Sequence, residues 1–134
     1  MQRTATGSFV VALQPLAFEG ADDSMLLGRL RIDKTISGDL VASTCGQMLS
    51  AGTGTQGSAG YVAIERVTGS LHGRRGSFAL QHSGTMDRGA PSLRISVVPD
   101  SGTDELLGLQ GRLHIDRSGG QHAYSFEYTL PDAA

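Results

Sequence analysis

Tryptophan is absent from this chain, cysteine occurs once, and aromatic residues fill only 5% of its 134 positions. Each shortage removes a class of function. Cys45 alone can form neither an intrachain disulfide nor a Cys-rich metal site. Sparse aromatics offer no stacking platform for single-stranded nucleic acid, and a net charge of −2 offers no basic face for a phosphate backbone. Arg74-Arg75 reads as a solvated basic turn. No apolar run approaches the ~20 residues that cross a bilayer, so no membrane partner is expected. The stretch from Met1 to Ser8 lacks a secretory hydrophobic core, and Phe9 to Leu13 is too short for one, which makes the cytoplasm the expected location. Histidines at 72, 82, 114 and 122 have no metal-ligand spacing. Neither G-x-S-x-G nor H-E-x-x-H occurs. Gly52-x-Gly54-x-x-Gly57 has the letters of a dinucleotide fingerprint, but it follows no buried parallel strand and opens no helix, so it reads as turn chemistry. No metal and no cofactor is expected.

What the chain does have is alternation. Hydrophobic residues make up 39% of it, enough for one domain over residues 1–134 with a real core. Phe9, Val11 and Leu13 alternate with Ser8, Val10 and Ala12. Leu93, Ile95 and Val97 alternate with Ser92, Arg94 and Ser96. Leu30, Ile32 and Ile36 alternate with polar residues, as do Tyr124, Phe126, Tyr128 and Leu130. Period two with one apolar face is the pattern of antiparallel strands. No segment keeps a helical pattern over three turns; Asp104 to Leu109 fits a single turn capped by Ser101 or Thr103. Turns fall at Ser37-Gly38-Asp39, Asp87 to Pro91, Pro99 to Gly102 and Asp116 to Gln121. Ser50 to Gly60, rich in Gly, Ser and Thr, reads as a mobile loop.

About eight strands result, and one repeat favours a barrel over a sandwich. Leu71-x-Gly73-x-x-Gly76-x-Phe78-x-Leu80 recurs as Leu106-x-Gly108-x-x-Gly111-x-Leu113-x-Ile115. Each copy is a corner followed by a strand, and glycine at a strand start permits the coiling that closure requires.

In a small barrel the apolar face of each strand lines the interior, so polar residues on that face are the informative ones. His82 shares a face with Phe78 and Leu80. His122 precedes Tyr124 and Phe126 on theirs. Glu65 lies on the face of Tyr61, Ala63 and Val67; an inward carboxyl in a dry barrel is expected to have a raised pKa and to serve as general acid or base. The alternative for Glu65 is a structural ion pair, with Arg29, Arg31 or Lys34 as partner. With a two-residue loop at Gly38, Cys45, Gln47 and Lys34 point inward; a three-residue loop reverses that assignment. Tyr61 and Tyr124 either pack in the core or place hydroxyls in a cavity.

The segment Tyr61 to His82, together with Lys34-Thr35-x-x-Gly38-Asp39-Leu40, Val98-Pro99-x-Ser101-Gly102-Thr103-x-Glu105-Leu106 and His122-x-Tyr124-x-x-x-Tyr128, resembles a small bacterial family of unknown function. The resemblance covers nearly the whole chain. It implies an all-β fold: an eight-stranded antiparallel β-barrel, allene-oxide-cyclase-like and calycin-like in outline, similar also to dirigent proteins. It further implies self-association into a homo-oligomer. Three functions follow as expectations. The first is a barrel holding a small, mostly apolar ligand, with Cys45, Gln47, Tyr61, His122 and Tyr124 as ligand-binding residues. The second is a cofactor-free cyclase or isomerase with Glu65 and His82 as catalytic residues. The third is a solid-core barrel whose loop at Ser50 to Gly60 binds a protein partner.

Overall fold

A computed structural model describes residues 2–117, 120 and 122–131. Its strands are β1 (Gln2–Leu16), β2 (Leu27–Gly38), β3 (Leu40–Gly52), β4 (Ala59–Leu71), β5 (Arg74–Asp87), β6 (Ala90–Val97), β7 (Gln110–Asp116) and β8 (His122–Thr129). They form one closed barrel in chain order, each antiparallel to the next, with β8 closing on β1 through pairs from Gln2↔Thr129 to Phe9↔His122. Short 3-10 turns at Asp23–Met25 and Asp104–Leu106 are the only helical elements among the described residues. None of these helices is long and apolar enough to cross a membrane.

The alternation read from the sequence sorts residues as expected. Phe78 and Leu80, Ile95 and Val97, and Tyr124, Phe126 and Tyr128 are buried, while His114 and Arg94 face solvent. Sharp hairpins hold this register. His72-Gly73 joins β4 to β5 with φ of 47° and 81°, and Arg88-Gly89 joins β5 to β6 with φ of 49° and 92°. Two consecutive left-handed residues make the turn whose twist matches that of paired strands.

The repeat turns out to close one end of the barrel. Gly73 and Gly108 take the same φ of 81°. The leucines that precede them, Leu71 and Leu106, are fully buried beside Leu40, Leu109, Phe78 and Phe126. Gly76 allows the Thr103 carbonyl and Leu106 to press against β5, where a methyl group would collide with the carbonyl and crowd the leucine. This is the closed end.

Burial of the inward face falls toward the other end. On β1 it runs from buried Phe9 through half-buried Val11 to Leu13, 56% exposed. On β6 it runs from Ile95 to Leu93, 44% exposed. Leu30, Met48 and Tyr61 are half-buried at the same level. The barrel is therefore a cup, apolar at the lip and sealed at the base. One seam is thin: β6 meets β7 through a single residue pair, Ser96↔Arg112.

Two expectations about loops change. The polar stretch Ser50 to Gly60 is strand at both ends, leaving 53–58 as the loop. That loop is tied down rather than free: Thr53 Oγ1 bonds the carbonyls of Thr55 and Ser58, and Ser58 Oγ accepts the Arg88 N–H at 3.0 Å. In the turn after Asp116, Ser118, Gly119 and Gln121 lie outside the described residues.

Candidate functional site

Three strands aim one polar group each at the same point inside the cup. Glu65 on β4 is 1% exposed. Its Oε1 accepts a hydrogen bond from Lys34 Nζ of β2 at 2.9 Å and another from His82 Nε2 of β5 at 2.7 Å. The intervening β3 gives room: Glu65 faces Gly46, where a Cβ would sit 2.6 Å from the Glu65 Cβ. Thr44, buried on the same strand, takes the Lys34 backbone N–H on its hydroxyl at 3.1 Å. The Lys34 ammonium also lies 4.9 Å above the Phe9 ring, and Phe9 stacks on His122 with ring centres 4.9 Å apart. A depression of about 430 Å³ lies at the rim, lined from both faces of β1 by Ser8, Phe9, Val10 and Val11 and closed by Gly120 and His122. A continuous line thus runs from the lip at His122, past Phe9 and Lys34, to Glu65 and His82.

The electrostatics reverse one expectation. Burial pushes the Glu65 carboxyl up, but the hydrogen bond from His82 and the charge of Lys34 outweigh it and hold the group down at about 2. Glu65 is therefore an anion, not the raised-pKa acid expected from burial alone. It keeps no proton to give at neutral pH, and so weak a base takes few. Its place in proton chemistry is to fix His82. A carboxylate on Nε2 makes Nε2 the protonated nitrogen and leaves Nδ1 as the basic one. His82 Nδ1 has no hydrogen-bond partner among the described residues. The second carboxylate oxygen, Glu65 Oε2, is buried and also unpartnered.

The other expected residues separate. Cys45 and Gln47 point outward, because the β2–β3 hairpin has Asp39 alone at its tip and pairs even with even, Ile32↔Gly46 and Ile36↔Ala42. Gly38, at φ 106°, and the Asp39 side chain, which accepts the Thr6 N–H at 3.0 Å, hold that odd-length loop. Ala42 and Thr44 are inward instead. Tyr124 is buried, but its hydroxyl is used up at the closed end, accepting the Leu40 N–H at 3.0 Å and donating to the Ser37 carbonyl at 2.9 Å. Tyr124 is thus a fastener, not a ligand residue. Tyr124→Phe should cost about 1–3 kcal/mol, the penalty for an abandoned buried amide, read as a shift in the urea midpoint. Tyr61 stays at the lip, half-buried with its ring over Gly84, and burial raises its hydroxyl pKa. Lys34, expected to point inward or to pair with Glu65, does both and belongs to the site itself. It is the one lysine among eleven cationic residues, and it sits on an apolar face; that combination was the available signal.

At the closed end His72 Nδ1 bonds the Tyr128 hydroxyl, with Asp39 3.6 Å from its other nitrogen, a second fastening across the base. No group of residues able to hold a metal occurs among the described residues.

Comparison with known proteins adds a family and a neighbour. The profile of a protein family of unknown function (DUF3224) matches residues 5–128. A crystal structure of a DUF3224 protein of unknown function from Shewanella oneidensis MR-1 superposes with a TM-score of 0.91 at 47% identity, covering 99% of this chain and 100% of that one. No curated protein matches.

Proposed function

Since the chain belongs to the DUF3224 family, whose description assigns no role, its interior must carry the functional argument, and we propose that it is a small-molecule-binding barrel. The ligand is mostly apolar and carries one polar group, which descends to Lys34, Glu65 and His82. The observation that supports this most is the meeting of those side chains inside a wall that is apolar up to Leu13, Leu30 and Leu93 at the lip. Pockets for small molecules have this make-up, an apolar lining with a few convergent polar groups. The polar group would supply a donor to Glu65 Oε2 or an acceptor to the spare protons of Lys34. The reading keeps the protein in the cytoplasm and without a cofactor.

Mass spectrometry of the purified protein under native conditions tests it. The expected result is a bound small molecule that survives desalting, is released by organic solvent, and is lost in a Leu93→Arg variant that blocks the lip. A bare protein mass, with no thermal stabilisation by any of a panel of apolar alcohols and ketones, would sink the proposal.

One observation favours a second reading. The 2.7 Å contact between Glu65 and His82 is an orienting acid–base pair. A cofactor-free isomerase or cyclase would let His82 Nδ1 take a proton from carbon beside a carbonyl and return it elsewhere, while Lys34 stabilises the oxyanion. For this reading, His82→Asn should abolish deuterium exchange into a bound ketone yet leave its affinity within a few-fold. Exchange at the wild-type rate in that variant would remove His82 from the chemistry.

A further inference from the structure

The outer face of the same sheet carries a second concave surface. Arg29, Leu49 and Val62 lie in register across β2, β3 and β4, and Gln47, Ile64 and Gln81 lie in register one step along. Together they line a groove of about 750 Å³. Its floor is exposed and apolar: Leu49 is 42% exposed, Val62 52% and Ile64 53%. These side chains alternate with Ala63 and Glu65, so the groove and the interior cup are on opposite sides of β4.

Arg29 gives the groove a chemistry. Its near neighbour Arg31 is paired, with Nε 2.9 Å from Asp33. Arg29 has no ion pair or hydrogen bond among the described residues, and its Nε is buried without an acceptor. A guanidinium left in this state is a donor fork without its anion. Nε is closed to solvent, so the terminal guanidinium nitrogens, which are not buried, are the donors that a group entering the groove can reach. The two glutamine amides at the other edge can bond a polar atom without adding charge.

We propose that this groove binds an amphiphilic carboxylate, a small acid whose head group pairs with Arg29 and whose alkyl chain lies on Leu49, Val62 and Ile64. The volume suits a small molecule, and the unpaired cation selects an anionic head over a neutral one. The site is independent of the ligand proposed for the cup.

Decanoate, below its micelle threshold, is the probe. Titrated into ¹⁵N-labelled protein, it should shift the amides of Leu49, Val62 and Ile64. Decanol and acetate should bind at least tenfold more weakly, one lacking the charge and the other the chain. Arg29→Gln should weaken decanoate at least tenfold with the melting temperature unchanged, and Val62→Asp should abolish binding by putting a like charge on the floor. Several results would overturn the proposal: equal affinity in wild type and Arg29→Gln, shifts confined to Leu93 and Ile115 at the lip, an absence of saturable binding, or a sedimenting dimer that covers the groove and dissociates on Val62→Asp.

Discussion

Glu65→Gln should destabilise the barrel by about 3–5 kcal/mol, the range found when one partner of a buried ion pair is removed. The variant is nearly isosteric, so the loss is electrostatic. Lys34 is only 10% exposed and would keep its charge facing a neutral amide. For a domain of this size the loss corresponds to a fall on the order of 10–15 °C in melting temperature. It is also a large share of the roughly 5–15 kcal/mol that holds a typical domain folded. The test lies in the rescue. Lys34→Met added to Glu65→Gln removes the stranded cation and keeps the alkyl stem against Phe9, so the double variant should regain most of the lost stability. If it is no more stable than Glu65→Gln alone, the cluster is not an ion pair in the energetic sense.

Acid should undo the same interaction. The folded Glu65 titrates at about 2 against an ordinary 4.5. A carboxylate whose pKa is depressed by folding contributes stability that is full above its unfolded value and lost as pH falls through its folded one. The gap corresponds to roughly 3 kcal/mol, present above pH 4.5 and gone near pH 2. Asp22 and Asp39 are also lowered, but they are exposed and common to both proteins. The quantity to measure is therefore the stability of wild type minus that of Glu65→Gln, from urea unfolding at successive pH values. The difference should be flat from neutrality to about pH 5 and then shrink. A difference that stays constant down to pH 2.5 would mean that Glu65 is not held ionised by its partners.

The wall of the barrel was legible in the sequence and the site only in part, for a physical reason. Period two is a local signal, so the inward positions of Phe78, Leu80 and His82, or of Ala63 and Glu65, needed no knowledge of their neighbours. Facing across a hairpin depends on loop parity. One residue at the tip, Asp39, sends Cys45 outward and Thr44 inward, and the string Ser37-Gly38-Asp39 fits either parity. The sign of the Glu65 shift was further out of reach. Burial alone predicts a rise. The fall comes from Lys34, 31 positions earlier, and His82, 17 positions later, which meet Glu65 only once β2, β4 and β5 are curved into one wall. Tyr124 failed for a similar reason: alternation places its ring, but the atoms that occupy its hydroxyl are 84 and 87 positions away.

The thin seam between β6 and β7 has a consequence for how this protein avoids its own kind. A complete barrel offers no free strand edge to another chain. Here the girdle of backbone bonds narrows to one residue pair, so prying β6 from β7 is the least costly way to expose such an edge. Of the two strands that would be bared, β6 begins Ala90-Pro91 and carries Arg94 on its outer face, and β7 carries Arg112 and His114 on its own. Proline has no N–H to offer an incoming strand, and the guanidinium groups disfavour stacking of like copies. The place where the wall is easiest to part is thus also the place where its sequence resists growth into a fibril.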